Sequence, residues 1–165
     1  MLRGTSLLIV GLMGAAFFAQ APEFAQQYRQ RLGGAVEELR RVVVQFDADA
    51  AQYGLSRGEA MRRYNNSTDG FFQTRGLSMN EVMSRYEHID GQLSEMQSTG
   101  VLMRPLLVAK RPDDEIMRAT WSEFRPAMPT TPEGGVYGLA GFFTARMAWS
   151  MILGLLGFGR RRRHA

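Results

Sequence analysis

Residues 136–159 read VYGLAGFFTARMAWSMILGLLGFG, and this run is followed directly by Arg160, Arg161, Arg162 and Arg163. Its 24 residues carry one charge, that of Arg146. A helix needs about 20 predominantly apolar residues to cross a bilayer core of roughly 30 Å. A buried core helix is the alternative, but four arginines would then have to leave the core at once. Because Lys and Arg clusters mark the cytoplasmic end of a span, we predict a transmembrane helix over 134–159 and a cytoplasmic tail over 160–165.

A second apolar run, TSLLIVGLMGAAFFAQA, covers residues 5–21 and follows Arg3. It contains no charge, and its 17 residues would extend about 25 Å as a helix. A cleaved signal peptide is the alternative, with the small residues of 19–21 as the cleavage motif. Pro22 would follow that cut, where proline is expected to block processing. We therefore predict an uncleaved N-terminal transmembrane helix over 1–21.

Arg146 is the exception within the C-terminal span. An arginine at the centre of a span costs about 2.5–3.5 kcal/mol on insertion scales, so it needs a compensating interaction. It either meets a carboxylate, a carbonyl group or a wet cavity, or it extends its guanidinium to the membrane interface. Neither apolar run contains Asp or Glu, so an acidic partner at that depth would have to come from another chain. The sequence leaves these two interpretations open.

Small residues recur at helical spacing in both predicted spans. They let helix backbones approach closely in lipid, where packing rather than hydrophobicity drives helix association. We therefore predict that the two helices pack on each other or on a partner. The residues concerned are Gly11, Ala15 and Ala19 in the first span and Gly138, Gly141 and Ala145 in the second.

The charges of the chain are distributed unevenly. The whole chain has a formal net charge of +4, but residues 22–135 hold all 16 acids and 14 of the 20 bases, a net charge of −2. The positive excess lies in the ends and the spans, which is typical of membrane orientation rather than of nucleic-acid binding. We therefore expect no nucleic-acid partner. Both termini should be cytoplasmic, and residues 22–133 should form an extracytoplasmic domain, periplasmic in a Gram-negative bacterium.

The middle region is patterned for two long amphipathic helices. Apolar residues recur at steps of three and four over about 22–53 and again over about 79–98, as in a coiled-coil seam. Gly54 is a natural stop for the first helix. Two such helices can bury their apolar stripes by packing antiparallel. The predicted fold is an all-α membrane protein whose N- and C-terminal transmembrane helices flank an extracytoplasmic antiparallel helical hairpin.

An internal repeat lies in this middle region. GLSRGEAMRRY at 54–64 recurs as GLSMNEVMSRY at 76–86, with seven of eleven positions identical. In each copy the serine can cap a new helix, and the glutamate three residues later completes a capping box. The repeat therefore predicts two helix starts with the same capping chemistry. The alternative is a pair of equivalent binding sites formed by Arg63 with Tyr64 and by Arg85 with Tyr86.

The sequence contains no recognisable catalytic arrangement. With no cysteine and only two histidines, it has no disulfide, no thiol nucleophile and no cysteine- or histidine-rich metal site. Asp113, Asp114 and Glu115 could seed a metal site, but consecutive helical residues point in different directions. The positive end of a helix dipole accounts for these acids. No phosphate-binding loop, nucleophile motif or zinc spacing is present. We therefore expect no enzymatic activity, no metal and no cofactor.

Three stretches carry a resemblance to a known family. They are PEFAQQYRQRLGG at 22–34, the Gly-Leu-Ser turn, and the pattern W-x-x-F-x-P-A-x-P-T-x-x-E-G at 121–134. On these residues the whole chain resembles a small group of uncharacterised proteobacterial membrane proteins, catalogued as a domain of unknown function. The resemblance implies a two-span bacterial inner-membrane protein. It carries no activity and no catalytic residue over to this chain.

Together these features favour a non-enzymatic integral inner-membrane protein. We expect an accessory, scaffold or assembly subunit of a larger membrane complex. Such a subunit would contact the lipid bilayer and either a protein partner or further copies of itself. Arg146, the small-residue ridges and the lack of catalytic machinery motivate this expectation. The alternative is a ligand-binding or sensory module of the envelope, with a pocket lined by the Met and Tyr positions of the two repeat copies.

Overall fold

The computed structural model describes residues 2–128 and 130–156. These residues are helical with short connections, and no strand occurs among them. The all-α prediction is therefore confirmed. In chain order the elements are α1 (Leu2–Phe18), α2 (Ala21–Gln52), α3 (Arg57–Asn65), α4 (Gly70–Ser98), a 3₁₀ turn (Val101–Met103), α5 (Arg104–Lys110), α6 (Asp114–Glu123) and α7 (Pro132–Leu155).

α1 covers most of the first predicted span. After Arg3 its sequence contains no charge and no proline, so nothing interrupts the helix before Phe18. The backbone N–H of Ala19 still donates to the Ala15 carbonyl at 3.0 Å. Helical hydrogen bonding thus continues into the two-residue turn that precedes α2.

α7 covers the described part of the second predicted span. The Thr131 hydroxyl accepts a hydrogen bond from the Gly134 N–H at 3.2 Å, and Pro132 occupies the first turn, where a missing N–H breaks no bond. The helix then continues past Arg146 to Leu155 without a break. The last residues of the predicted span, 157–159, lie outside the described residues, as do Arg160, Arg161, Arg162 and Arg163.

α2 is one continuous helix that matches the prediction for 22–53. Gly54 ends it with a φ of 65°, a left-handed conformation that glycine adopts without steric cost. The predicted stop at this glycine is confirmed. The apolar stripe of α2 faces inward, and its buried members are Ala25, Tyr28, Leu32, Val36, Val43 and Ala50.

The first repeat copy starts a helix, as predicted. The Ser56 hydroxyl accepts a hydrogen bond from the Glu59 N–H at 3.3 Å, and the Ser56 N–H donates to the Glu59 carboxylate at 2.8 Å. These two bonds complete the capping box, and α3 follows with Ala60 and Met61 buried.

The second repeat copy does not start a helix, and the predicted boundary near residue 79 is wrong. α4 begins at Gly70, where the Asp69 carboxylate accepts a hydrogen bond from the first turn at 2.8 Å. Ser78 therefore lies inside α4, and its hydroxyl donates to the Thr74 carbonyl at 3.2 Å. Serine can make this bond within a helix, so it need not act as a cap.

Gly76 has a packing role instead of ending an element. A Cβ added at Gly76 would lie 2.8 Å from the Tyr64 Cβ and 3.0 Å from the Asn65 Oδ1. The missing side chain therefore lets α4 approach the end of α3. The two repeat copies share a sequence but occupy different structural positions, so they do not form two equivalent sites.

The described chain divides into two compact units. We call them the paired-helix unit, which contains α1 and α7, and the amphipathic-helix unit, which contains α3, α4 and most of α2. The paired-helix unit comprises residues 2–27, 101–111, 119–128 and 130–156, and the amphipathic-helix unit comprises residues 28–100 and 112–118.

Within the amphipathic-helix unit, the contacts of α2 and α4 run in opposite directions along the two helices. Tyr28, near the start of α2, donates a hydrogen bond to Gln92 in the last third of α4, with 2.9 Å between the oxygens. Phe46, near the end of α2, lines the same cavity as Met79 in the first half of α4. The fully buried side chains of this unit include Leu32, Ile89 and Met96.

Candidate functional site: the paired helices, Arg146 and a polar node

α1 and α7 pack against each other in antiparallel directions. Near the start of α1, the Ser6 hydroxyl accepts a hydrogen bond from the Trp149 indole at 3.2 Å. After the end of α1, the Ala19 Cβ lies 3.5 Å from the position that a Cβ on Gly138 would occupy. Late residues of α7 thus contact early residues of α1, so the two helices are antiparallel.

The backbones of the two helices are close enough that glycine is required. A Cβ added at Gly141 would lie 2.5 Å from the Gly14 carbonyl oxygen and 2.6 Å from the Phe18 Cβ. A Cβ added at Gly11 would lie 2.6 Å from the Phe142 ring. A distance below 3 Å to a backbone atom can be relieved only if one helix shifts relative to the other. Close backbone approach through small residues is how helices associate in lipid.

The structure brings together the small residues singled out from the sequence. Gly14 also belongs to this contact, although the sequence analysis missed it. Gly11, Ala15 and Ala19 were found by stepping four residues at a time, which passes over Gly14. A step of three residues from Gly11 reaches it. The predicted packing residues that lie in the α1–α7 contact are Gly11, Ala15, Ala19, Gly138, Gly141 and Ala145.

The other faces of both helices are apolar and exposed. Two helical stretches, Arg3–Gln52, which begins with α1, and Pro132–Leu155, which is α7, are long and apolar enough to cross a membrane. Only 11% of the apolar window of each is buried within the protein. A core helix of a soluble protein would be mostly buried. These exposed faces therefore favour a membrane protein. Their large side chains include Leu8, Ile9, Leu12, Met13, Phe17, Leu139, Phe143, Met147 and Met151.

Arg146 lies on the exposed face of α7, in one stripe with Leu139 and Phe143, which are 64% and 63% exposed. Among the described residues it has no hydrogen bond and no ion pair. At 1.5 Å per residue it lies about 21 Å from the start of α7 at Pro132 and about 14 Å from the end at Leu155. A cation thus sits well inside an apolar surface, and the described part of this chain provides no counter-charge.

A buried polar node links α2, α4 and the start of α6 in the amphipathic-helix unit. The Tyr28 hydroxyl donates to Gln92 at 2.9 Å and accepts a hydrogen bond from the Asp113 N–H at 2.8 Å. The Asp113 carboxylate accepts from the Ile116 N–H at 3.0 Å and from the Arg85 guanidinium at 3.1 and 3.3 Å. Asp113 therefore caps α6 and ties it to α4.

The electrostatics of the node keep Asp113 ionised. Burial alone would raise the pKa of Asp113, but the hydrogen bonds from Ile116 and Arg85, together with the positive charge of Arg85, lower it below its usual value. Arg85 also reaches Glu115 at 2.7 Å. Burial raises the pKa of Tyr28, which stays a neutral hydrogen-bond donor. The node is a satisfied structural network.

The metal alternative for Asp113, Asp114 and Glu115 gains no support from the geometry. The Asp113 carboxylate is engaged by Ile116 and Arg85 rather than turned toward its neighbours. Within the described residues, no group of three or more His, Cys, Asp or Glu side chains could hold a metal ion. The sequence correctly places these acids at a helix start. It gives no local signal for the long-range link of Asp113 to Tyr28 and Arg85.

One cavity in the amphipathic-helix unit bears on the sensory alternative. It has a volume of about 490 Å³, and the Tyr64 ring lies 6.2 Å from both the Phe46 and Phe72 rings. Of the repeat positions, Arg63 and Tyr64 line it, whereas the equivalent Arg85 belongs to the polar node. This cavity is thus lined by residues of the first repeat copy and not by residues of the second.

Comparison with known proteins places the chain in a family. The model of the family described as "Protein of unknown function (DUF2937)" matches residues 2–162, nearly the whole chain. No curated protein matches the chain, and no solved structure does.

Proposed function

We infer that this chain, which belongs to the DUF2937 family of proteins of unknown function, is a two-span protein of the bacterial inner membrane. Its role is that of an accessory, scaffold or assembly subunit of a larger membrane complex. α1 and α7 are the spans, both termini are cytoplasmic, and the amphipathic-helix unit is periplasmic. The observation that carries the proposal is Arg146, a cation in the exposed apolar face of α7 that has no partner among the described residues.

The proposed topology is supported by charge and by packing. Arg3 precedes α1, and four arginines follow the last apolar residues, which favours a cytoplasmic location for both ends. The antiparallel packing of α1 and α7 agrees with two consecutive spans. The opposed contacts of α2 and α4 support an antiparallel helical hairpin in the domain between them.

Arg146 supports a role in assembly because α1 and α7 do not compensate its charge. They pack through their glycine-rich faces, which leaves the face of Arg146 outward. Glu133, the one acid in α7, lies 13 residues away, about 20 Å along the helix. A carboxylate or carbonyl group on a partner helix would pair with Arg146 and remove the cost of a solitary cation in lipid.

The experiment is an affinity purification from native membranes in a gentle detergent, followed by mass spectrometry. We compare wild type with Arg146→Leu, Arg146→Lys and the neighbouring Met147→Leu, which is also exposed. A stoichiometric partner should copurify with wild type and with Met147→Leu, should be lost with Arg146→Leu and should be partly retained with Arg146→Lys. A second, differently tagged copy of the chain reveals whether that partner is the protein itself.

Two results contradict this proposal. One is wild-type protein that is always recovered alone as a monomer. The other is a partner that Arg146→Leu retains as well as wild type does. In the second case Arg146 extends its guanidinium to the interface instead of pairing with a partner.

A sensory or ligand-binding module is the second candidate, and the cavity beside Tyr64 favours it. Its volume of about 490 Å³ falls in the range of small-molecule sites, and aromatic rings line it together with Arg63. Screening apolar compounds that carry one acidic group for thermal stabilisation of the protein tests this function. Tyr64→Leu should abolish the stabilisation, and Tyr86→Leu, outside the cavity lining, should preserve it. Equal stabilisation of both variants would argue against this site.

A further inference from the structure

We propose that the segment Val101–Lys110 lies in the lipid headgroup interface, at the end of the membrane where α7 begins, with its apolar side chains inserted into the periplasmic leaflet. The segment comprises the 3₁₀ turn and α5. The proposal rests on the proposed function, because it requires α7 to span the bilayer.

The segment turns its apolar side outward. Leu102, Met103 and Leu106 recur at helical spacing and are 41%, 51% and 53% exposed. Val108 is buried, and Pro105 occupies the first turn of α5 without disturbing it. In a water-soluble helix the continuous apolar stripe faces the core. An apolar stripe that faces outward is the pattern of a helix lying in a membrane interface.

A hydrogen bond fixes the position of the segment along α7. The Tyr137 hydroxyl donates to the Leu102 carbonyl at 2.8 Å. Tyr137 lies about 8 Å beyond the start of α7 at Pro132. The 24 residues of α7 extend about 36 Å, more than a hydrocarbon core of roughly 30 Å. Glu133 lies in the first turn, and its charge favours placing that turn among the headgroups. Tyr137 therefore holds Leu102 at the boundary between headgroups and acyl chains.

An aromatic cluster follows the end of α1, which packs beside the first half of α7. Phe24 packs edge-on against Trp121 and Phe124, with ring centroids 5.9 and 5.3 Å apart. Trp121 is 67% exposed, and the Ala127 N–H is anchored to the Gln20 side chain at 3.1 Å. Tyr and Trp concentrate at membrane interfaces because their rings are apolar and their polar groups need water.

Charge indicates that lipid rather than a protein groove covers this surface. Residues 101–111 contain three bases and no acid. Basic side chains beside inserted apolar residues are suited to the phosphates of lipid headgroups. The Tyr137 contact also joins the segment to the first half of α7, where Val136 and Leu139 are 52% and 64% exposed. One lipid surface can therefore cover both.

The experiment uses the full chain in phosphatidylcholine–phosphatidylglycerol vesicles, with lipids brominated near the top of the acyl chains as quencher. Because the protein has no cysteine, one fluorophore can be attached at Leu106→Cys, at Leu139→Cys in α7 or at Leu77→Cys in α4. Leu77 is a matched control, being 63% exposed but in the amphipathic-helix unit. We expect several-fold quenching at Leu106 and at Leu139, a blue-shifted emission at both, and neither effect at Leu77.

The three positions separate the failure of this inference from the failure of the proposed topology. Quenching at Leu139 without quenching at Leu106 would leave the span intact and overturn the interfacial placement. It would then indicate a protein partner over Leu106. No quenching at Leu139 would overturn the span and with it the interfacial placement. Equal quenching at Leu106 and Leu77 would show that the segment has no special affinity for lipid, which also contradicts the inference.

Discussion

The two units of the protein are packed by opposite rules. In the paired-helix unit the small residues face inward, Gly14 and Gly141 bring the backbones together, and large apolar side chains face outward. In the amphipathic-helix unit Leu32 and Ile89 are fully buried, and the charged side chains other than Asp113 are exposed or half-buried. Water drives large apolar side chains inward, whereas lipid does not. The contrast therefore indicates that the two units are adapted to different solvents.

Their charged residues differ in the same way. In the amphipathic-helix unit the buried Asp113 carboxylate is satisfied within the chain, by Arg85 and by the start of α6. In the paired-helix unit Arg146 has no partner among the described residues. One unit completes its own polar network, and the other presents a charge for which its described residues provide no counter-charge.

The largest expected difference in the free energy of unfolding is between a leucine-to-alanine change in the amphipathic-helix unit and one in the paired-helix unit. Leu32→Ala should lower the free energy of unfolding by about 2–5 kcal/mol, because Leu32 is fully buried and its loss leaves a cavity. Leu12→Ala should change it by about 0.5 kcal/mol or less, because Leu12 is 56% exposed on α1. Urea unfolding in mild detergent, followed by far-UV circular dichroism, measures both. Equal losses would remove the distinction between the units.

Removing the Asp113 carboxylate should have the next largest effect. Asp113→Ala should cost about 2–3 kcal/mol, since α6 loses its cap and Arg85 loses a charge-assisted bond. Asp114→Ala, at an exposed position in the first turn of α6, should cost about 1 kcal/mol or less. The same urea unfolding assay compares the two variants. A loss at Asp114 as large as that at Asp113 would show that the node does not hold α6.

The same node should make stability depend on pH. The pKa of Asp113 is lower in the folded protein than in the unfolded chain, where it is about 3.9. Its contribution is therefore fully present above about pH 5 and is lost as the pH falls through the folded-state value. Urea midpoints measured from pH 7 downward should fall more steeply for wild type than for Asp113→Ala. Parallel curves would contradict the role assigned to this carboxylate.

An added methyl group tests the close approach of α1 and α7. Gly141→Ala should destabilise the helix pair by about 1–3 kcal/mol, because the new Cβ would meet the Gly14 carbonyl at 2.5 Å. Gly154→Ala, in the same helix but with no atom within 4 Å of the new Cβ, should be neutral or slightly stabilising. Titration with SDS, followed by Trp149 fluorescence in a Trp121→Phe background, measures both. Equal behaviour would show that the glycine contact is dispensable.

The smallest effect concerns the two repeat copies. Ser56→Ala should cost about 1 kcal/mol, because it removes a complete capping box. Ser78→Ala should be neutral or slightly stabilising, because Ser78 lies inside α4 and alanine is the better helix former. Thermal unfolding in mild detergent compares them. A clear loss at Ser78 would indicate that the second copy also acts as a cap.

The sequence predicted the features that depend on local pattern. The spacing of the apolar residues predicted α2. Gly54 predicted its end, because the left-handed conformation that ends a helix depends on that residue alone. The spacing of small residues pointed to Gly11 and Gly141 as packing residues, because spacing along the sequence shows which residues share one face of a helix. The second span was predicted from residue 134, and α7 begins two residues earlier, at Pro132, after the Thr131 cap.

The sequence failed where distant residues decide the structure. The second repeat copy has the same capping residues as the first, but α4 already begins at the Asp69 cap before it. Gly76 instead allows the close contact with Tyr64. The polar node was not predictable because Tyr28 and Asp113 are 85 residues apart. Gly14 was missed because its role depends on where Gly141 lies in the opposite helix.

The most direct test of the central claim is the labelling of single cysteines with a membrane-impermeant maleimide in intact spheroplasts. The chain has no native cysteine, so each position reports alone. We place one probe at Asn66, between α3 and α4, one at Leu139 in α7 and one at His164 in the basic tail. Asn66→Cys should be labelled in intact spheroplasts, His164→Cys only after permeabilisation, and Leu139→Cys only after denaturation.

That pattern would place the amphipathic-helix unit in the periplasm, α7 in lipid and the arginine tail in the cytoplasm. Rapid labelling of Leu139→Cys in the native protein would contradict the account, because the outward face of α7 would then be in water. Labelling of Asn66→Cys only after permeabilisation would contradict the proposed orientation.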